Sequence, residues 1–160
     1  MRKNVIGRFV LALLIVSIPV FTQQQSPLVG MWEEVSWTID GKDVPMEGAP
    51  PGVKRGVRHH VFTADGHYMN LCISTGRPIL TTPPNERSKE ELLSQFWGTM
   101  GQWGTYTISG DKLTIRPVAA MNPAVEGKDV VSTFRMEGAE VVLARMATGP
   151  KMEQRLRRVK

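Results

Sequence analysis

From residue 31 to the C-terminus the chain runs mostly in short stretches that alternate apolar and polar residues. A period of two is the signature of strands with one buried face. The stretches lie near residues 31–39, 56–63, 67–74, 102–109, 112–118, 129–136, 139–145 and 152–159. Turn signals separate several of them: Asp40-Gly41, Ala64-Asp65-Gly66, Gly110-Asp111 and Glu137-Gly138. Short strands at this spacing predict an all-β antiparallel sandwich or barrel. One segment departs from the pattern. Ser88 precedes Glu91 by three residues, which is the capping-box spacing. Leu92, Leu93, Phe96, Trp97 and Met100 then recur at helical spacing. Residues 75–87 carry Gly76, Pro78, Pro83 and Pro84, which exclude a central strand. The expectation is a loop and one helix between strands three and four.

The turns set hairpin registers. A three-residue loop at Ala64-Asp65-Gly66, with glycine in the left-handed position, pairs Val61 with Met69, His59 with Leu71 and Val57 with Ile73. Its other face pairs Phe62 with Tyr68 and His60 with Asn70. A two-residue loop at Gly110-Asp111 pairs Ile108 with Leu113 and Tyr106 with Ile115. A two-residue loop at Glu137-Gly138 pairs Met136 with Ala139, Phe134 with Val141 and Ser132 with Leu143, and sets Arg135 opposite Glu140. Each register offers one mostly apolar face, and a one-residue slip would lose it. The inward faces read as Val35, Trp37 and Ile39; Val57, His59, Val61, Met69, Leu71 and Ile73; Tyr106, Ile108, Leu113 and Ile115; and Phe134, Met136, Val141 and Leu143. Trp32 has the opposite parity to Trp37, so either a bulge lies near Glu33-Glu34 or Trp32 plugs the base outside the regular alternation; Glu33 or Glu34 is expected at the rim or in solvent.

The N-terminus adds a different element. Arg2, Lys3 and Arg8 precede residues 9–21 (FVLALLIVSIPVF), which are almost wholly apolar. That is the layout of a secretory signal peptide, and the run is shorter than the ~20 residues that span a bilayer. We expect a signal peptide over 1–22, a spacer over 23–29, a single barrel domain over 30–160, and export without a stable membrane span after cleavage. The leader also explains much of the charge. The 20 Lys/Arg against 15 Asp/Glu give +5, but three of the cations lie in the leader. Residues 30–144 carry 11 Lys/Arg against 14 Asp/Glu, and residues 145–160 carry six Lys/Arg against Glu153 alone. That basic tail has no interleaved aromatics, which a nucleic-acid surface would want, so no nucleic-acid partner is expected. Cys72 is the single cysteine. It precludes an intrachain disulfide, leaving a shielded thiol in a monomer or weak dimer.

Candidate chemistry is sparse. His59, His60 and His67 are the three histidines. His59 and His60 point to opposite faces, and His67 lies about 13 Å along the sheet from His59. A zinc ion needs its ligands near 2 Å from one point, so no metal is expected, and haem through His59 is equally disfavoured. No Gly-x-Ser-x-Gly occurs, and Cys72 shares its parity with Tyr68 and Asn70, read as outward. Adjacent Glu33 and Glu34 do not form a dyad. No catalytic residue and no cofactor is assigned.

The segments GMWEEVSW, HVFTADGHYMNL, STGRP and GTYTISGDKLTI, in that order, resemble a small bacterial lipocalin-like domain family over roughly residues 28–145. The resemblance implies a calycin-like antiparallel barrel of about eight strands. It also implies that Trp32 of Gly30-Met31-Trp32 packs beneath the barrel, with an arginine from a late strand (Arg155, Arg157 or Arg158) across it. Gly30 and Trp32 are then structural. Such a barrel holds side chains or one small ligand. The expected function is binding of a small apolar or amphipathic molecule in the interior. Candidate ligand contacts are Trp37, His59, Met69, Tyr106, Ser132 and Phe134, and Phe96, Trp97 and Met100 are the candidate lid. The alternatives are an isomerase or cyclase acting on an apolar substrate in the same barrel, or an interaction domain with a filled core.

Overall fold

The structure is a computed structural model that describes residues 26–44, 52–145 and 149–160. The signal-peptide and cleavage readings lie outside the described residues. The strands are β1 (Gly30–Ile39), β2 (Lys42–Asp43), β3 (Arg58–Phe62), β4 (His67–Cys72), β5 (Met100–Ser109), β6 (Lys112–Ala120), β7 (Val130–Glu137), β8 (Glu140–Arg145) and β9 (Met152–Arg158). The helix is α1 (Lys89–Phe96). Each strand from β3 to β9 pairs antiparallel with the next, and β1 pairs with both β3 and β9. The result is a closed antiparallel barrel of eight strands, with the two-residue β2 added to the far end of β1.

The helix follows β4, not the third strand. Asp40 and Gly41 take positive φ values of 50° and 76°, and this tight turn folds the chain back to make β2, a strand too short for a periodic pattern to reveal. The helix starts as the spacing predicts. Ser88 Oγ accepts from Glu91 N at 3.1 Å, and Glu91 Oε2 accepts from Ser88 N at 2.8 Å.

The β3–β4 and β5–β6 registers agree with the turn reading, including Val61 opposite Met69, Phe62 opposite Tyr68 and Tyr106 opposite Ile115. The β7–β8 register is shifted by two. Glu137 faces Glu140, Met136 faces Val141 and Phe134 faces Leu143. Gly138 (φ 63°) occupies the first central position of the turn, the place a type II′ hairpin gives to glycine. Arg135 therefore meets Glu137 at 2.7 Å rather than Glu140, and Glu140 pairs with Arg155 and Arg157, each at 3.2 Å.

Two inward faces differ from expectation. On β1 the register shifts between Glu34 and Ser36, so Trp32 and Glu34 point in, Val35 is the bulged residue, and Trp37 again points in. Val35 is exposed. On β3–β4 the whole face is reversed. Arg58, His60, Phe62, Tyr68 and Cys72 are buried, whereas Val57, Met69, Leu71 and Ile73 are exposed. Cys72 thus faces inward, and its thiol donates to Gly56 O at 3.2 Å. The reversal follows from what fills the barrel. Phe62 packs 4.9 Å from the Tyr68 ring and edge-on to Tyr106 at 5.1 Å. Both rings join the floor cluster around Trp32 and Tyr106.

The apolar core occupies one end of the barrel. Leu28, Trp32, Phe62, Tyr68, Tyr106, Leu113, Ile115, Val141, Leu143 and Leu156 form one buried cluster, with Ile108 and Phe134 packed against it. Trp32 is its base. The indole Nε1 donates to Leu28 O at 2.7 Å. Arg158, of the three candidate arginines, lies 4.3 Å over the ring and donates to Val29 O at 2.7 Å and Pro27 O at 2.9 Å. Gly30 makes this possible. Its φ of 133° suits glycine, and a Cβ there would overlap Arg158 Nη1.

Gly30→Ala is expected to cost about 1–3 kcal/mol or more, because it combines backbone strain with displacement of Arg158. Gly138→Ala shares the positive φ but has open space around the added methyl group, so it should cost less by about 1 kcal/mol or more. Urea unfolding of the two variants checks this. Equal losses would remove Arg158 from the account.

Candidate functional site

Above the apolar floor the barrel opens into a cavity of about 520 Å³. Successive inward residues on each strand pass from floor to cup: Phe62, His60, Arg58 on β3; Tyr68, Asn70 on β4; Tyr106, Gly104, Gln102 on β5; Leu156, Gln154 on β9. Trp37, Ile115, Val130, Leu143, Met121 and Met152 supply the apolar wall. Asn70, Gln102, Ser132 and Gln154 supply amides and a hydroxyl, and Arg58 and Arg145 supply positive charge.

Arg58 dominates the electrostatics. It is 6% exposed, and Nη1 pairs with Glu34 Oε2 at 3.2 Å. Gln154 Nε2 donates to the same oxygen at 2.8 Å. The Arg58 guanidinium also lies 4.6 Å from the Trp37 ring centre, and that of Arg55 lies at 5.2 Å. Glu34, expected at the rim, is therefore a buried member of an ion pair. Burial raises its pKa above the ordinary carboxylate value, against the opposing pull of Arg58 and Gln154.

Beneath this pair lies a neutral chain. The Tyr68 hydroxyl accepts from Asn70 Nδ2 at 2.8 Å and meets His60 Nδ1 at 2.9 Å. His60 Nε2 has no hydrogen-bond partner among the described residues. Burial, followed by the Arg58 and His59 charges, lowers the His60 pKa to about 3. Burial likewise raises Tyr68 to about 12.

The candidate contacts divide three ways. Trp37 and Ser132 line the cavity. Tyr106 and Phe134 lie in the floor, where Tyr106 Oη donates to Thr63 O at 2.8 Å. His59 and Met69 lie on the outside of the wall, in an apolar groove with Met31, Val61 and Leu71. Met100 reaches the cavity from β5, while Phe96 and Trp97 do not line it, and Phe96 is exposed. Arg58, Glu34, Asn70, Gln102 and Gln154 were not singled out as contacts. Their signal was the parity they share with the large aromatics: Arg58-x-His60-x-Phe62 and Tyr68-x-Asn70-x-Cys72. Among the described residues no group of three or more His, Cys, Asp or Glu is placed to hold a metal, and no helix is long and apolar enough to cross a membrane.

The strand order, the closure through β1 and the tryptophan floor define a closed antiparallel barrel of eight strands. Its form is similar to that of a lipocalin-like protein from Bacteroides uniformis, at 14% identity over 82% of this chain and 98% of that one (TM-score 0.44). An uncharacterized protein from Bacteroides eggerthii is similar at 12% identity over 80% and 98% (TM-score 0.40). A mutant of the fluorescent protein UnaG is similar at 12% over 82% and 96% (TM-score 0.37). No family model and no curated protein matches the sequence.

A buried neutral histidine makes stability pH-dependent. Between its folded value of about 3 and its unfolded value of about 6.5, the unfolded chain binds the extra proton. The His60 contribution is therefore intact above pH 6.5 and is lost as pH falls toward 3, at up to about 1.4 kcal/mol per pH unit. In His60→Gln, which keeps a polar partner for Tyr68, urea midpoints should fall less steeply over that window. Parallel slopes for the two proteins would contradict a neutral buried His60.

Proposed function

We propose that the protein binds one small amphipathic molecule in the cup of the barrel. One observation carries the reading: a cavity of about 520 Å³ stands over a buried apolar floor, with apolar side chains on its wall and amides among them. Volumes of ~300–1,000 Å³ with a few placed polar groups are the usual form of a small-molecule site. The ligand's apolar body lies against Trp37, Ile115, Leu143 and Met152, where each Å² buried contributes about 25 cal/mol. Its polar end meets Asn70, Gln102, Ser132 and Gln154. The basic and then apolar run over residues 1–21 supports an exported carrier or sensor.

Native mass spectrometry of the purified protein is expected to show a retained small molecule. Ala120→Trp, which places an indole in the cavity from β6, should lose it while keeping the far-ultraviolet spectrum of the barrel. Retention of the same mass by that variant would sink the interior site. Expressed with its leader in a bacterium with two membranes, the protein should appear in the periplasm with an intact mass starting near Gln23. A full-length cytosolic product would contradict export.

A further inference from the structure

The Arg58 guanidinium is only half used. Nη1 has the Glu34 carboxylate at 3.2 Å. Nη2 has the Met100 thioether at 3.7 Å, and a thioether is a weak acceptor. Nε is buried without a hydrogen-bond partner among the described residues. Nε–H and Nη2–H lie on one side of a guanidinium and form the fork that a carboxylate fills with two parallel hydrogen bonds. Among the described residues this fork therefore lacks an oxygen acceptor, on a side chain that is 6% exposed and lines the cavity together with Met100. A buried charged donor left unmatched is costly, so its retention calls for a reason.

We propose that the ligand carries a carboxylate that docks side-on against Arg58 Nε and Nη2 after displacing the Met100 side chain. The inference rests on the interior-site reading and adds the chemical class of the ligand's polar end. Met100 suits the role of a movable cover. It stands at the start of β5, it is 37% exposed, and its unbranched side chain re-packs easily. Trp37 holds the face of the guanidinium and Glu34 holds its far end, so the fork is fixed before the ligand arrives. Arg145, also on the cavity wall, offsets the second negative charge. A single charge fits better than a phosphate, which brings ~1.5–2 charges up to a guanidinium already paired with Glu34. Asn70, Gln102 and Gln154 remain for other polar groups of the ligand.

The test compares octanoate, 1-octanol and octyl phosphate by calorimetry and Trp fluorescence on the full barrel. Wild type should bind octanoate about 10-fold more tightly than octanol, and more tightly than octyl phosphate. Arg58→Lys keeps the charge without the fork and should erase most of the octanoate preference while leaving octanol unchanged. Glu34→Gln, which removes the competing carboxylate, should tighten octanoate alone. Equal binding of octanoate and octanol would overturn the carboxylate assignment yet leave the interior site standing. A preference that survives Arg58→Lys would overturn the fork, and tighter octyl phosphate would overturn the choice of anion. Failure of all three probes to bind would overturn both readings. Should Arg58→Lys not fold, the Glu34→Gln result decides, and unchanged octanoate affinity there counts against the proposal.

Discussion

The guanidinium of Arg158 lying across Trp32 joins the last strand to the first, and the rest of the molecule depends on that closure. A sheet whose ends do not meet has two edges and no inside. Here β1 serves both ends, pairing with β3 through Gly30–Glu33 and with β9 from Trp32 to Ile39. The two carbonyls that accept from Arg158 belong to Pro27 and Val29, so the contact also pins the entering chain beneath the barrel. Leu28 is thereby fully buried, with its carbonyl on the Trp32 indole. The Gly-x-Trp motif is thus a close-approach device: glycine clears the space, tryptophan supplies the surface, and the arginine crosses it.

Closure divides the interior into two regions with different energetics. The floor is conventional: aromatic and branched side chains removed from water, each contributing about 1.5–3 kcal/mol. The cup is not. A buried ion pair such as Arg58–Glu34 gives up most of its Coulombic gain to desolvation, and the raised pKa of Glu34 records that cost. Stability would be served as well by hydrophobic residues of equal volume. Polar side chains retained at this depth, with donors in excess of acceptors, are what binding asks of a wall, and they agree with a site that fixes one end of its occupant.

Much of this was legible in the sequence, and the failures have physical causes. Strand count, the capped helix and two hairpin registers follow from period and turn chemistry. The two-residue displacement of β7–β8 is invisible to alternation, since a shift of two returns every side chain to its own face. Only the position of Gly138 within the turn reveals it. The face of β3–β4 was misread because the apolar residues were assumed to be the buried ones. Val57, Val61, Met69, Leu71 and Ile73 make the more uniform stripe, yet they lie outside. Trp37 lines the cavity because the bulge at Val35 returns it to the inner face, and Ser132 because β7 keeps the face its alternation predicts. His59 and Met69 belonged to β3–β4, the exception to that prediction.

That exception places the polar side chains of the cup. The β3–β4 hairpin keeps the same internal register whichever face turns inward, so its orientation is decided by its neighbours. Trp32 stands opposite His60 on one side, and Gly104 stands opposite Tyr68 on the other. Gly104 matters because a Cβ there would overlap the Arg116 carbonyl, and the close approach it permits seats β5 on β6. A one-residue shift of the hairpin against β1 and β5 would turn Val57, Val61, Met69, Leu71 and Ile73 inward and put Arg58 and Asn70 into solvent. The wall would then lose Arg58 and Asn70, and Glu34 would be left without its cation. Burying Phe62 and Tyr68 in the floor is therefore the same event as placing Arg58 and Asn70 in the cup. The residues that stabilise the fold also aim the ones that line the cavity.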